Sequence, residues 1–301
     1  MHNTLQQWAK ARGNRLQVIP IRRLQDIRAE ITAFRETEEL NGFQQWITSG
    51  LYRFDLPAAE FPIRSILLLA IPHPFYAEVE FFSEGKIYPV ISLVKSDFEG
   101  AQQELAKLLA RQAHHLQPAV NIPLKRLAVQ GGLAVYGKNN ICFIDGMGSV
   151  FSFAAYFSDL ECEADEWREV RVAEQCTHCL ACFKHCPTGA IRKDHFLINN
   201  EVCLSNLNES PGEFPAWLPK AAHHCLYDCL QCQVICPLNQ DYVHDIIGPI
   251  CFSEEETQML LAGRQWEETP PEMQRKAKLL GLDEWWANIP RNLRVLMDQS
   301  G

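Results

Sequence analysis

Cys176, Cys179, Cys182 and Cys186 lie in "CTHCLACFKHCP" with the spacing C-x2-C-x2-C-x3-C-P. Three thiolates at this spacing wrap one face of a [4Fe–4S] cube, and the fourth points to a different cube. A second set is therefore required, and Cys229, Cys232 and Cys236 supply it in "CLQCQVICP". That set is one ligand short. Cys203 is the best candidate to complete it, while Cys225, just ahead of Cys229, competes on spacing. The assignment gives cluster one Cys176, Cys179, Cys182 and Cys236, and cluster two Cys186, Cys203, Cys229 and Cys232. Structural zinc sites use two C-x2-C pairs rather than a triple followed by Cys-Pro, so the spacing favours iron–sulfur. Two cubes linked by exchanged ligands form a short wire for electrons. Cys142, Cys162 and Cys251 remain, and such singles read as small buried hydrophobes.

A wire of this kind needs only a small part of 301 residues. The remainder must bind a partner, a cofactor or a substrate, and its most informative stretch is "LKRLAVQGGLAVYGKNNICFIDGMGSVFSFAAYFSDL", 124–160. Gly132 to Lys138 reads G-x4-G-K, yet Asn139 stands where a phosphate-binding loop needs Ser or Thr, and "LKRLAVQ" ahead of it has helical spacing. Gly131, Gly132 and Gly137 nonetheless mark a close backbone approach. Asp97 precedes a helix, with Ser96 and Glu99 in capping-box spacing. His73, between prolines, reads as a turn residue. In a helix His114–His115 and His223–His224 point about 100° apart, so each pair is a poor chelate. Trp285–Trp286 reads as packing for the last helices.

The elements that must hold these groups follow from periodicity. Residues 3–12, 23–35 and 97–115 have helical spacing, and "SILLLAIPHP" and "KIYPVISLV" read as strands. "NICFID" and "VFSFAAYF" read as strands around the turn "DGMGS". From 176 to 237 the periodicity weakens, as expected where metal bonds replace an apolar core. Helices return after 252, the first with Ser253 and Glu256 as a capping box. The domains read as an α/β unit over 1–165, a ferredoxin-like unit over 166–250 and C-terminal helices over 251–301.

A formal charge of −9 weighs against phosphate backbones as the main partner. "ILLLAI" is too short to span a bilayer, and the first residues contain no apolar signal core, so the expectation is a cytoplasmic protein without a membrane partner. Twelve cysteines without an export signal point to metal or redox chemistry rather than disulfides.

The stretch around "GLAVYGKN", with "GSVF" after it, resembles the corresponding segment of the epoxyqueuosine reductases. So do "CTHCLACFKHCPTGAI", Cys203, "CLQCQVICPLN" and the final "IPRNLRVLM". The similarity is most specific over 124–240. Reductive dehalogenases are more distant relatives of the same arrangement. The resemblance implies an α/β, nitroreductase-like corrinoid-binding domain joined to a bacterial ferredoxin-like domain with two [4Fe–4S] clusters. It implies a cobalamin held base-off, since no D-x-H-x-x-G run is present, and reduced to Co(I) by electrons from the clusters. It implies Tyr136, Gly137, Lys138, Asn139, Gly148 and Ser149 as cofactor contacts and Asp97 as proton donor, its pKa raised by burial. The electron donor would be a low-potential ferredoxin or flavodoxin. The family's C-terminal helical repeats have no counterpart in this chain, and Asp97 sits in "KSDFE" rather than the family's R-D-Y-H. With the acidic charge, this favours a small-molecule substrate over tRNA. The alternatives are a ferredoxin-type protein that passes electrons to a separate corrinoid or flavin partner, and a flavin enzyme.

Overall fold

A computed structural model describes the backbone of residues 2–300 and the side chains of residues 3–299. Its strands are β1 (Arg15–Pro20), β2 (Ser65–Pro72), β3 (Tyr76–Ser83), β4 (Lys86–Ser92), β5 (Gln117–Pro118), β6 (Val135–Tyr136), β7 (Cys142–Phe143), β8 (Phe151–Ser158) and β9 (Ile246–Phe252). Its helices are α1 (His2–Lys10), α2 (Arg23–Thr37), α3 (Gly42–Trp46), α4 (Phe98–Ala110), α5 (Leu124–Gln130), α6 (Ala181–His185), α7 (Leu204–Glu209), α8 (Gln231–Val234), α9 (Glu254–Leu261), α10 (Pro271–Leu279) and α11 (Ile289–Ser300).

The chain divides into two compact units, Met1–Pro72 with Ser96–Cys179, and His73–Lys95 with Leu180–Gly301. This differs from the linear boundaries expected from sequence. The β3–β4 hairpin, placed by its position among the first 165 residues, joins the cysteine-rich unit because β3 pairs in parallel with β9. Strand β9, in "DIIGPICF", was not anticipated, although its β-branched run is a strand signal.

In the first unit the sheet order is β1-β2-β8-β5, antiparallel throughout. Strand β2 is central, and Ile66 to Ala70 are fully buried, which is why its sequence is a continuous apolar run rather than an alternating one. One packed cluster joins Leu67 and Leu69 of β2 to Leu5 and Ala9 of α1 and Leu105 and Leu109 of α4.

In the second unit the order is β4-β3-β9. Pro89 is tolerated in β4 because that strand is an edge. Val79 and Phe81 of β3 pack with Met273 and Ala277 of α10 and Leu293 and Leu296 of α11. Phe81 and Phe252 stack with centroids 4.8 Å apart, and both are fully buried. Trp286 packs edge-on to Trp266, as expected of a packing tryptophan, and its Nε1 donates to the Arg264 carbonyl at 2.8 Å. Within the cysteine-bearing loops Leu204, Leu218 and Ala222 form one small core cluster.

His223 borders that small core. It is 5% exposed, with its ring edge-on to Phe214. Burial, then the Arg291 guanidinium and His224, push its pKa down to about 4. An unfolded histidine titrates near 6.5. The unfolded chain therefore binds the extra proton between these values, and stability falls as pH is lowered from about 6.5 to about 4. Replacing His223 with Phe is expected to remove about one proton from that dependence, measured by denaturant unfolding at a series of pH values; an unchanged slope would refute the assignment.

Candidate cluster cage and cofactor hairpin

Cys176 and Cys179 close the first unit, and the other six cluster candidates lie in the second. There the two Cys-Pro runs fold alike. Cys182 lies in α6 and Cys232 in α8, and these short helices pack against each other. Both runs turn extended at the last cysteine, with φ −68° and ψ 116° at Cys186 and φ −74° and ψ 124° at Cys236. Pro187 and Pro237 enforce this, because a residue before proline is excluded from the helical region. Each run thus leaves the helical conformation at its last cysteine.

Cys203 is the N-cap of α7, and the backbone amides of Ser205 and Asn206 act against the effect of burial on its thiol. Burial raises its pKa, and the Cys186 charge contributes. Burial likewise raises Cys229, with Cys203 acting on it. Cys203 is thus within electrostatic reach of Cys186 and of Cys229, and Cys225 is within reach of Cys229 as well. Cys225 is 1% exposed and lies in a parallel bridge with Ile91, and burial, then Asp228, raises its thiol pKa. It is built into the sheet edge, whereas Cys203 stands on a loop between segments. A thiol donor set of this size and softness suits iron–sulfur. Of the remaining cysteines, Cys142 is buried as expected and Cys162 half-buried, but Cys251 is exposed on β9, with its thiol toward Glu80. It lies on an edge strand that pairs on one side only.

The glycine-rich segment is a hairpin, not a phosphate loop. Helix α5 precedes it, and β6 and β7 pair as Val135↔Phe143 and Tyr136↔Cys142. The "NICFID" strand is thus limited to two paired residues. The turn closes through Asn140 N donating to Gly137 O at 3.0 Å and Gly137 N donating to Ile141 O at 2.7 Å. A Cβ on Gly137 would lie 2.5 Å from the Phe143 ring and 2.6 Å from Asn139 Oδ1. Asn139 is buried, and its Oδ1 accepts from Ile141 N at 3.2 Å. Tyr136 is bound on its other side to Arg171 and Ala173 by backbone hydrogen bonds. Burial raises the pKa of its phenol, so at neutral pH it is a protonated donor. Lys138 is half-exposed at the tip and makes no ion pair among the described residues. Gly148, at φ 58°, completes the next turn by accepting from Ile144 N at 2.9 Å. Ser149 beside it is buried.

Asp97 caps α4, accepting from Gly100 N at 2.9 Å. The capping box expected from Ser96 and Glu99 is absent, because Ser96 is buried and donates to Ile71 O at 3.1 Å. Gly100 lets the Asp97 carboxylate fold over the helix start, where any Cβ would overlap it. Asp97 is exposed, so the burial expected of an acid with a raised pKa is not present. His114 and His115 both face Asp159, at 3.2 and 2.6 Å. A cleft of about 670 Å³ lies in the second unit beside Phe214, Lys220, His223, Arg291 and Arg294.

Residues 175–239 match the family described as a 4Fe-4S double cluster binding domain. The chain is 30% identical over 170 residues to an epoxyqueuosine reductase of Vibrio cholerae, covering 56% of this chain and 44% of that relative. It thus spans less than half the length of that curated relative. In fold it resembles the Bacillus subtilis epoxyqueuosine reductase captured with its catalytic aspartate loop swung out of the active site, at TM-score 0.64 and 16% identity, covering 98% of this chain and 80% of that one. It also resembles an epoxyqueuosine reductase solved with an epoxyqueuosine-modified tRNA-Tyr stem loop, at TM-score 0.62 and 18% identity, with the same coverage. No helix among the described residues is long and apolar enough to cross a membrane.

Two substitutions test this geometry. Gly137→Ala is expected to lower stability by about 1–3 kcal/mol through overpacking against Phe143, read by thermal melting. Cys203→Ser is expected to lose iron and Cys225→Ser to keep it. Full iron retention by Cys203→Ser would return the fourth ligand to Cys225.

Proposed function

We propose that this chain is an iron–sulfur reductase of the epoxyqueuosine reductase type, with an electron wire on its two Cys-Pro runs and a corrinoid site on the hairpin of its first unit. The observation that carries this is the paired fold of the two Cys-Pro runs, with α6 packed on α8 and each run turning extended at its last cysteine. Cys176, Cys179, Cys182 and Cys236 would hold one cluster, and Cys186, Cys203, Cys229 and Cys232 the other. When bound, a corrinoid supplies a strong reductant for a bond that side chains cannot reduce, and cysteine-ligated clusters supply low-potential electrons.

The protein's own contributions are positional. Gly137 and Asn139 fix the hairpin so that its tip presents Lys138 to an amide or phosphate oxygen. Tyr136 keeps a proton on its phenol, and Gly148 and Ser149 form the adjoining turn. Asp97 is the proton carrier at Oδ, reached by leaving the cap it occupies here. The loop movement recorded for the Bacillus subtilis relative supports such a displacement. A modified tRNA stem loop is the substrate class favoured by the relatives, ahead of the small molecule expected from net charge. The electron donor is a low-potential ferredoxin or flavodoxin.

One observation favours a second reading, a pure electron carrier: Asp97 is an exposed helix cap. Anaerobic reconstitution with iron, sulfide and hydroxocobalamin separates the two. About eight irons and one cobalt per chain support the reductase, while eight irons without cobalt leave the carrier. Asn caps a helix as well as Asp does. Asp97→Asn is therefore expected to keep its melting temperature while reduction of an epoxyqueuosine-bearing tRNA stem loop falls at least tenfold. Unchanged turnover would remove Asp97 from the chemistry.

A further inference from the structure

We infer that α11 is a polar template that holds Cys203 in register with Cys229, with Arg291 and Asn292 as positioning residues for cluster two; this rests on the cluster assignment above. Helix α7, which Cys203 begins, has only six residues. A helix this short cannot sustain itself, and its last carbonyls have no partners within it. Those carbonyls are met from α11 and from Asn288 just ahead of it. Asn288 Nδ2 donates to Glu209 O at 2.7 Å. Arg291 Nη2 donates to Leu207 O at 2.9 Å and Asn208 O at 3.1 Å, and its Nη1 donates to Ser210 O at 3.0 Å and to Gly212 O. Asn292 Nδ2 donates to Asn208 O at 2.9 Å. Residues 288, 291 and 292 stand three and four apart, so they share one helical face.

The same face also reaches the second thiol-bearing segment. Asn292 Nδ2 donates to Leu226 O at 3.0 Å, and Asn292 is 1% exposed. Asn208, fully buried, donates to Asp228 O at 2.9 Å. Asp228 Oδ1 in turn accepts from Cys229 N at 2.6 Å and from Ser205 Oγ at 2.5 Å. Two thiols distant in sequence are thereby tied to one rigid element. Arg291 has no carboxylate within ion-pair distance among the described residues, and its guanidinium lies 3.9 Å over the Phe214 ring. Its N–H groups are spent on carbonyls and on Asn292 Oδ1. It faces the cleft described above with no donor left for a ligand, so its task is to hold the loop.

Asn292→Leu keeps the bulk and removes both donors. Its iron content after reconstitution is expected to fall from about eight to about four per folded chain, with loss of the magnetic coupling between two reduced clusters in EPR. Amide hydrogen exchange over 204–209 is expected to quicken at least tenfold in the metal-free protein. Should Asn292→Leu fail to fold, Arg291→Lys, which keeps the charge and loses the fork, is expected to give the same selective loss. Retention of all the iron with only a lower melting temperature would overturn the proposal, as would equal loss from both clusters. The exchange measurement needs no metal, so unchanged protection at 204–209 overturns the template on its own. A wild-type chain that takes up no iron would instead overturn the cluster assignment.

Discussion

Loops that carry metal ligands leave their backbone polar groups without the partners a helix or sheet would give them. Each such group buried unpaired costs on the order of 1–3 kcal/mol. The second unit is organised around this constraint. One of the core clusters in its cysteine loops is small, built on Leu204, Leu218 and Ala222. Order also comes from outside, through side chains that donate to carbonyls. Asn208, Arg291 and Asn292 do this at one end, and Asn239 does it at the other, with Nδ2 donating to Gln233 O at 3.0 Å. The apolar packing that makes these donors rigid lies elsewhere, in the sheet and helices around Phe81 and Phe252.

The first unit would meet a different requirement under the proposed function, which is to bring backbone close to a large flat ligand. Its hairpin satisfies its own polar groups at the turn, and the Gly137 backbone lies against the Phe143 ring with no room for a side chain. Only the Lys138 side chain and the outer surface of the turn are left to act. Asp97, by contrast, is held by a single cap hydrogen bond. Such a bond is worth about 1 kcal/mol, so the carboxylate can leave its place cheaply.

Much of this was legible in the sequence. The cysteine spacing specified the pairing of Cys-Pro runs because proline acts locally on the residue before it. The continuous apolar run of β2 and the capping box at Ser253 were equally local. What escaped was set by distant partners. Strand β9 and the transfer of the 73–95 hairpin to the second unit depend on a parallel pairing far along the chain. Ser96 had the spacing of a cap, but a carbonyl from β2 took its hydroxyl and the next residue became the cap instead. Cys251 was grouped with buried singles, although an edge strand gives half of its side chains no cover. The polar face of α11 was invisible because asparagine and arginine on a helix ordinarily face water.

The pairing of β3 with β9 also bears on how the protein is made. Tyr76 aligns with Ile246 and Phe81 with Phe252. On the ribosome the β3–β4 hairpin emerges early, yet its partner arrives only after most of the chain has been synthesised. Contacts this remote form slowly. Until then one edge of β3 is an open template for other strands. All the cysteines of both Cys-Pro runs leave the ribosome before β9 does. Metal delivered before β9 emerges would therefore meet thiols whose supporting sheet is still incomplete.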